Sequence, residues 1–421
     1  MLWLCIRLPL LAREALAATA DDAIERLSAW AYQWSSLVSY RLNDPPLLWL
    51  ELGASHHLFG GHTALLAKIE AGLTQLGYSH VCALAPSPRA AALLTQVERQ
   101  RCVFTRAELR TRLEPLPLSL LDLPEETRDA LQSAGLRRIG QVLALPAASL
   151  ARRFGPETNL YLRRLLGEAN DPRPAWQLPA TYRARCEFGC ELRDTTALLF
   201  PLQRLLLEFQ GYLRGRDCAV LRFTLKLEHY RHPPSDVAIG LCAPAREAAQ
   251  FLQLARERLH NIVLPAPVRG LGLEALEFTA PSILQADFFG SDAQQLQQLQ
   301  LLLDRLRARL GADQVQSLQP QADYRPERAW RFAPPAQSIL ASTNAADQEY
   351  LPQRPCFLAA DLQRIAPPAQ LLSGPERIES GWWDRADVAR DYFVARAENG
   401  ARLWVFRDLA DGAWYLQGLW T

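Results

Sequence analysis

Arginine and glycine residues between positions 135 and 166 are the groups in this sequence best suited to binding phosphate. Gly135, Arg137, Arg138 and Gly140 form a short glycine-flanked turn between two helical patterns. Glycine lets backbone N–H groups approach an anion closely, and arginine adds a charge-assisted contact. The region holds six arginines and one glutamate, although the formal net charge of the 421-residue chain is only +1. We predict contacts to a nucleic-acid backbone without sequence specificity. The alternative is a generic helical hairpin with solvated arginines.

Histidine and cysteine residues show no metal-binding pattern. His56, His57 and His62 are close in sequence, but no cysteine or carboxylate stands beside them, so we interpret them as a surface turn. The eight cysteines include no CxxC pair, which indicates neither a zinc site nor a disulfide framework and favours a reducing compartment. We expect neither a metal nor another cofactor.

Composition is typical of a globular protein, with 49% apolar and 22% charged residues, and the length allows two to four domains. No run reaches the roughly 20 apolar residues of a membrane span. The first 18 residues are apolar and end in Ala-Leu-Ala-Ala, as in a secretory signal, but they lack a basic start and contain Arg7 and Pro9. We therefore expect a cytoplasmic, nucleoid-associated protein.

Positions 1–115 alternate strand and helix patterns around an apolar strand at 47–52, which predicts a small α/β layer. The strand and the Leu-Phe-Gly that follows at 58–60 resemble the palm motif of Y-family (translesion) DNA polymerases. In that family carboxylates on two strands bind the catalytic metal ions. The resemblance places Cys5, Pro46 and Leu47 at these positions, and none of them can bind Mg²⁺ through a carboxylate. Too few residues separate Ala12 from the next helix to form a fingers subdomain, so we predict a reduced, non-catalytic palm.

Positions 116–172 match, in order and spacing, the helix-hairpin-helix thumb of the same family, and they add Arg152 and Arg153 to the predicted phosphate contacts. Positions 173–180 resemble its tether. Positions 181–280 predict a βαββαβ little finger from two strictly alternating strands. The alternation places Cys186 and Cys190 on the core face. It places four cations on the outer face, where they would lie along DNA: Arg183, Arg185, Arg222 and Lys226. A solvated sheet face is the alternative.

A short motif in the segment 281–312 resembles the peptide that binds the bacterial sliding clamp. It consists of Gln285, Asp287, Phe288 and Phe289, and a helix follows it. Two adjacent apolar side chains can fill a pocket on the clamp while the glutamine fixes the register by hydrogen bonds. A buried loop containing two phenylalanines is the alternative.

The last part of the chain is rich in tryptophan. Positions 313–368 are rich in Pro, Gln and Ala and predict a linker, and positions 369–421 predict a small β region with a hairpin at Asn399–Gly400. Five tryptophans, at positions 382, 383, 404, 414 and 420, exceed what the core of so small a meander can hold, so we predict a partner-binding surface. The residues assigned to that surface are Trp382, Trp383, Trp404 and Trp414.

The predicted fold class is therefore α+β multidomain: an α/β palm, a helix-hairpin-helix thumb, a βαββαβ little finger and a β-rich C-terminal region. As a whole the chain resembles the catalytically inactive, polymerase-like branch of the Y family that belongs to the bacterial mutasome. The resemblance implies a protein of the SOS response that binds DNA and the sliding clamp. It also implies that the protein recruits an error-prone DnaE-type polymerase and an ImuA-like, RecA-related partner. Two alternatives are a clamp-independent DNA-binding repair factor and an active translesion polymerase.

Overall fold

The computed structural model describes residues 1–14, 19–97, 101–281, 291–335, 354–355 and 357–420. The chain divides into two compact units, Met1–Arg309 and Leu310–Thr421. Helices and four sheets are both present in the described residues, so the predicted α+β class is confirmed. None of the described helices combines the length and the apolar character needed to cross a membrane.

The predicted palm contains one four-stranded antiparallel sheet. Its strands are β1 (Trp3–Arg7), β2 (Val38–Arg41), β3 (Leu47–Glu51) and β4 (Val81–Ala85), in the order β2-β3-β1-β4. Its helices are α1 (Leu11–Glu14), α2 (Ala20–Ala31), α3 (His62–Gln75), α4 (Pro88–Leu94) and α5 (Arg106–Leu113). Strand side chains alternate between the two faces. The face with Leu4 and Leu50 packs on α2 and α3, and the face with Cys5 and Trp49 packs on α4 and α5.

Two details of this region are not evident from the sequence pattern. Helix α2 begins after Thr19, whose hydroxyl accepts a hydrogen bond from the backbone N–H of Asp22 at 3.1 Å. Thr19 is therefore the N-cap, and the acidic residues Asp21 and Asp22 lie in the first turn. Edge strand β2 was not predicted, because four residues are too few to show an alternating pattern.

The predicted thumb consists of α6 (Glu125–Ser133), α7 (Ile139–Leu143), α8 (Ala147–Phe154) and α9 (Pro156–Leu165). Its buried side chains, among them Leu131, Ile139 and Leu165, share one core with the α4 side of the palm sheet. A continuous apolar core therefore holds the helical hairpin against the sheet face that carries Cys5.

The predicted little finger has the expected order β5 (Tyr182–Leu192), α10 (Leu199–Gly215), β6 (Val220–His229), β7 (His232–Ala245), α11 (Ala248–His260) and β8 (Val268–Ala275). All pairs are antiparallel and the sheet order is β5-β8-β6-β7, so another strand separates the two strands of each βαβ unit. Both helices cover the face that bears Phe223 and Cys186. Cys190 is exposed, which corrects its assignment to the core, because the β5 register shifts after Glu187.

Helix α12 (Ser291–Leu310) follows the little finger. The carboxylate of Asp304 is buried and accepts a hydrogen bond from the backbone N–H of Cys242 at 2.6 Å. The helix therefore packs against the end of β7.

The second unit contains a two-stranded and a five-stranded sheet. Strands β9 (Ser317–Pro320) and β10 (Trp330–Ala333) form the first sheet. The second is built from β11 (Phe357–Ile365), β12 (Gln370–Ser380), β13 (Val388–Arg396), β14 (Arg402–Asp408) and β15 (Trp414–Leu419), in the order β11-β15-β14-β13-β12. The predicted meander corresponds to β13–β15. The linker interpretation of 313–368 is wrong for β9, β10 and β11. Their alternation of apolar and polar residues is short, and the Pro and Gln residues in and around them are uncommon in strands, so the pattern was not recognised.

Candidate nucleic-acid interface

The turn between α6 and α7 is fixed by its own backbone. Gly135 adopts a left-handed conformation with φ +82°. The N–H groups of Gly135 and Leu136 donate to the carbonyls of Gln132 and Leu131, at 2.9 and 3.1 Å. These two bonds make a Schellman cap, which requires a residue that tolerates positive φ. Gly135 is therefore needed for the shape of the turn.

The remaining N–H groups of the turn already have acceptors. Gln141 Oε1 accepts from the backbone N–H groups of Arg137 and Arg138, at 2.7 and 3.0 Å. The N–H of Gly140 donates to the carbonyl of Glu114 at 3.0 Å, and a Cβ added at Gly140 would lie 2.9 Å from that oxygen. Gly140 thus permits close packing, which corrects the prediction that both glycines open the backbone to a phosphate.

Guanidinium groups are the part of the thumb that can reach a phosphate. Arg137, Arg138, Arg152 and Arg153 are all exposed, and none forms an ion pair with an acidic residue in the described ranges. The guanidinium of Arg153 lies 5.4 Å from the ring centroid of Phe154. Because these cations have no competing carboxylate, a phosphate contact would break no existing ion pair.

Cations on the outer face of the little-finger sheet are brought together as predicted, but carboxylates neutralise them. Lys226 Nζ lies 2.9 Å from Glu274, and Arg185 lies 2.6 Å from Glu228. Arg183 lies 3.9 Å from the same Glu274. The hydrogen bond to Glu228 raises the pKa of Arg185. A phosphate would have to compete with these carboxylates.

Two further acidic residues lie next to the cations of this sheet face. Glu187 lies 3.1 Å from Arg185, and Asp236 stands opposite Lys226 in the β6–β7 register. Arg222 is the one cation of the predicted four that has no ion pair within the described part of the chain. The arrangement favours the alternative interpretation, a solvated sheet face.

Cys5, Pro46 and Leu47 stand where the resemblance expects metal-binding carboxylates, and each contributes to the packing or hydrogen bonding of the palm sheet. Cys5 lies opposite Trp49 in the β1–β3 register and is fully buried, and burial raises the pKa of its thiol. Leu47 is buried in the same core. The carbonyl of Pro46 accepts a hydrogen bond from the N–H of Leu8 at 3.0 Å. The side chains of Cys5 and Leu47 belong to the apolar core that lies under the thumb. No side chain of the three residues offers a carboxylate oxygen to Mg²⁺.

Glu51 is the acidic residue of β3, and the local backbone engages it. Its Oε1 accepts hydrogen bonds from the N–H groups of Leu2 and Gly53, at 3.2 and 3.0 Å. Glu51 therefore fastens the start of β1 to the end of β3.

Three histidines stack beside the start of α3. The ring centroid of His56 lies 3.8 Å from that of His57 and 3.9 Å from that of His62. Burial and the two neighbouring histidines lower the pKa of His62. The described residues contain no group of three His, Cys, Asp or Glu side chains placed to hold a metal ion.

Tryptophans of the second unit divide into exposed and buried sets. Trp382 and Trp383 are 81% and 58% exposed, and their rings meet edge to face with centroids 5.5 Å apart. Trp414 is partly buried. Trp404 is only 2% exposed and packs 4.6 Å from the ring of Tyr392, which corrects its assignment to a partner surface.

An arginine network fixes the loop that presents the two exposed tryptophans. The guanidinium of Arg325 is buried and lies 2.7 Å from both Asp323 and Asp384. A Cβ added at Gly381 would lie 2.5 Å from Arg325 Nη1, so only glycine fits beside the network. Hydrogen bonds from Arg325 lower the pKa of Asp384 to about 2. The loop is therefore held by charge-assisted bonds.

Gln285, Asp287, Phe288 and Phe289, the residues of the predicted clamp motif, lie outside the described residues. A cavity lined by arginines between the palm and the thumb was not predicted, because its residues are scattered from Arg7 to Arg173 and give no local signal.

The chain is similar over nearly its whole length to a curated protein. It is 28% identical to Protein ImuB of Caulobacter vibrioides over 442 aligned residues, which cover 94% of this chain and 93% of ImuB. It is 24% identical to DNA polymerase IV of Dehalococcoides mccartyi over 277 aligned residues, 64% of this chain and 70% of that polymerase. No family model matches the sequence.

Solved structures of DNA polymerases also align with part of the chain. A ternary complex of Dbh is 11% identical, with a TM-score of 0.33 and coverage of 66% of this chain and 100% of Dbh. A DinB-family error-prone polymerase from Sulfolobus solfataricus is 12% identical, with a TM-score of 0.33 and coverage of 67% and 100%. The similarity to ImuB confirms the resemblance that the motifs indicated.

Proposed function

We propose that this chain is a non-catalytic, polymerase-like scaffold that acts in translesion synthesis during the SOS response. The observation that carries the proposal is the apolar sheet face at Cys5 and Leu47, where the resemblance requires carboxylates. Magnesium-dependent nucleotidyl transfer needs oxygen ligands at that place. Similarity to ImuB over 94% of the chain supports the same assignment.

Contact with DNA is assigned to the thumb. Arg137, Arg138, Arg152 and Arg153 are exposed and form no ion pair among the described residues. Such cations supply affinity for a phosphate backbone without sequence specificity. Non-specific DNA binding also fits a cytoplasmic, nucleoid-associated protein.

Partner binding is assigned to two other parts of the chain. Gln285, Asp287, Phe288 and Phe289 resemble a sliding-clamp peptide, and we propose that they bind the clamp. The exposed pair Trp382 and Trp383 is proposed to contact an error-prone DnaE-type polymerase or an ImuA-like, RecA-related partner, since large exposed aromatic side chains commonly act as binding anchors.

Primer extension tests the absence of catalysis. The purified chain is incubated with a primer–template, all four deoxynucleotides and Mg²⁺ or Mn²⁺, beside an active polymerase as positive control. We expect no extension. Extension that is lost in an Asp44→Asn or Asp122→Asn variant, which removes an acid lining the cavity beside Leu47 and Trp49, would establish an active polymerase instead.

Capture of purified sliding clamp tests the scaffold assignment. Replacing Gln285, Phe288 and Phe289 together with alanine is expected to abolish clamp capture while DNA affinity stays unchanged. Gln298→Ala, at an exposed position on α12, is the matched control and should bind the clamp normally. Clamp capture that survives the triple replacement would remove these residues from the proposed clamp contact, and failure of the wild-type chain to capture the clamp would favour a clamp-independent DNA-binding repair factor.

A further inference from the structure

A cavity of about 420 Å³ lies at the end of α2, between α3, the Leu-Phe-Gly turn and α10 of the little finger. Its lining is mostly aromatic, aliphatic or uncharged, and its two charged residues, Lys68 and Arg214, are both cations. Because α2 and α3 pack on the sheet face of Leu4 and Leu50, the cavity lies on the opposite side of the palm sheet from the thumb. A cavity of this size can enclose a large side chain of a binding partner.

Three aromatic rings form one wall of the cavity. The ring centroids of Trp30 and Trp34 lie 6.3 Å apart, and those of Trp34 and Phe59 lie 5.0 Å apart, with both pairs edge to face. Two glycines pack against Trp30, since a Cβ added at Gly72 or Gly211 would lie 2.5 Å from its ring. The wall is therefore in place before a partner binds, which lowers the entropic cost of binding.

Small residues on α3 leave the space in front of these rings open. Ala71 and Gly72 both line the cavity, and Ala71 is exposed. Lys68 precedes Ala71 by three positions, a spacing that places Cβ atoms about 5–6 Å apart on a helix. A cation therefore stands directly beside the apolar opening.

The two cations carry charge that carboxylates of the cavity do not cancel. Lys68 is exposed, forms no ion pair among the described residues, and has its Nζ 5.6 Å from the centroid of the Phe59 ring. Arg214 lies 2.8 Å from Glu247, but both side chains are exposed, and exposed pairs are weak. No carboxylate is among the described residues that line the cavity. Its charge favours an occupant with negative charge beside an apolar group.

We propose that this cavity binds an acidic peptide segment of a partner protein through one large apolar side chain. That side chain would pack against Trp34 and Phe59, and carboxylates next to it would pair with Lys68 and Arg214. The surface is separate from the thumb arginines, the clamp motif and the exposed tryptophan pair, so the proposal adds a binding site that the scaffold role does not assign.

Single-stranded nucleic acid is the other anionic polymer that binds aromatic side chains. Its bases stack on open ring faces. Trp30 is only 4% exposed, and the ammonium group of Lys68 lies over the ring of Phe59. These contacts favour an apolar side chain of a peptide over a stacked base.

Fluorescence anisotropy with the full chain tests the site. The probes are three labelled nonapeptides with four acidic residues around a central Phe, Trp or Leu. Each peptide has two counterparts, one with a central Ala and one with amides in place of the carboxylates, and oligothymidine is the nucleic-acid probe.

Two variants of the chain alter the cavity, and each has a matched control. Ala71→Trp fills the space, and Ala107→Trp, exposed on α5, repeats that change outside the cavity. Lys68→Gln removes the unpaired cation, and Arg256→Gln, exposed on α11, repeats the change in charge. A melting temperature equal to that of wild type excludes misfolding as the cause of lost binding in either variant.

We expect wild type and both controls to bind at least one peptide roughly tenfold more tightly than its two counterparts, as burial of one anchor side chain predicts. Ala71→Trp should remove this preference, and Lys68→Gln should weaken it. A wild type that prefers none of the three peptides over both counterparts would overturn the proposal, as would a preference that Ala71→Trp leaves intact. Oligothymidine binding weakened by Ala71→Trp, without a peptide preference in wild type, would assign the cavity to nucleic acid instead.

Discussion

Arg26 and Glu208 form a buried ion pair, with Arg26 Nε 2.6 Å from Glu208 Oε2 across 182 positions of sequence. Their side chains are 6% and 0% exposed. Burial by itself would lower the pKa of Arg26, but the adjacent carboxylate outweighs it and raises the pKa. Arg26 lies on α2 of the palm and Glu208 on α10 of the little finger. The pair therefore ties these two regions together within the first unit.

Glu208→Leu is expected to destabilise the first unit by about 3–5 kcal/mol, because Arg26 would remain buried without a counter-charge. Replacing both residues, as Arg26→Met with Glu208→Leu, should recover part of that loss, because Arg26 is no longer left unpaired, whereas Arg204 still loses its 3.6 Å contact with Glu208. Urea denaturation of the three proteins measures the difference.

A surface ion pair provides the control for this prediction. Arg214 and Glu247 lie 2.8 Å apart but remain exposed. Glu247→Leu should therefore change the free energy of unfolding by about 1 kcal/mol or less. A Glu208→Leu variant as stable as the wild type would show that the buried pair does not stabilise the protein.

Local sequence patterns predicted the elements well, because alternation and helical periodicity record which side chains face a core. The strands β5 and β6 were located from such alternation, and Cys186 faces the core as expected. Cys190 lies beyond a shift of register that alternation cannot reveal.

Side-chain partners were beyond prediction because they depend on the order of strands in the sheet. Lys226 on β6 pairs with Glu274 on β8, and only the β8–β6 contact brings them together. Gln141 likewise accepts hydrogen bonds from the backbone N–H groups of Arg137 and Arg138. The glycine pattern in the sequence does not show these two bonds. Local motifs therefore indicated which side chains lie on a surface, but not which of those side chains are already paired with a carboxylate or an amide oxygen.

The thumb arginines should govern the salt dependence of DNA binding. A double variant, Arg137→Gln with Arg138→Gln, removes two exposed cations that have no acidic partner in the described residues. Each lost phosphate contact lowers the slope of log affinity against log salt by about 0.9 on duplex DNA, so we expect a decrease of up to about 2. Fluorescence anisotropy with a labelled duplex across a NaCl series measures the slope.

Lys226→Gln is the comparison for the little-finger sheet. Since Lys226 is paired with Glu274 at 2.9 Å, its loss should change the salt slope only slightly. If this variant lowered the slope as much as removal of a thumb arginine does, the neutralised sheet face would have to be counted as a DNA contact after all.

Acid should weaken the loop network of the second unit. Hydrogen bonds from Arg325 lower the pKa of Asp384 to about 2, below the value of about 3.9 expected for an unfolded chain. A depressed carboxyl pKa contributes stability that is fully present above about pH 4 and is lost as the pH falls towards about 2. We therefore expect Asp384→Asn to lower the melting temperature at pH 7, and the difference from wild type to shrink by pH 2.

Thermal denaturation followed by tryptophan fluorescence at pH 7, 4 and 2 measures this effect. Asp361→Asn, at an exposed position on β11, is the matched control for the change in charge and should leave the melting temperature almost unaltered at every pH. A difference between Asp384→Asn and wild type that stays constant from pH 7 to pH 2 would contradict the proposed role of the ionised carboxylate.

Trp382 and Trp404 should respond to truncation in opposite ways, because one is 81% exposed and the other 2% exposed. Trp404→Ala removes a large buried ring and should cost about 3–5 kcal/mol of stability. Trp382→Ala should leave the free energy of unfolding within about 0.5 kcal/mol of wild type but weaken partner binding by about 2 kcal/mol, the loss typical of an aromatic anchor. Urea denaturation measures the first quantity, and biolayer interferometry with a DnaE-type polymerase and an ImuA-like protein measures the second. Unchanged affinity for both partners would remove Trp382 from the proposed partner surface.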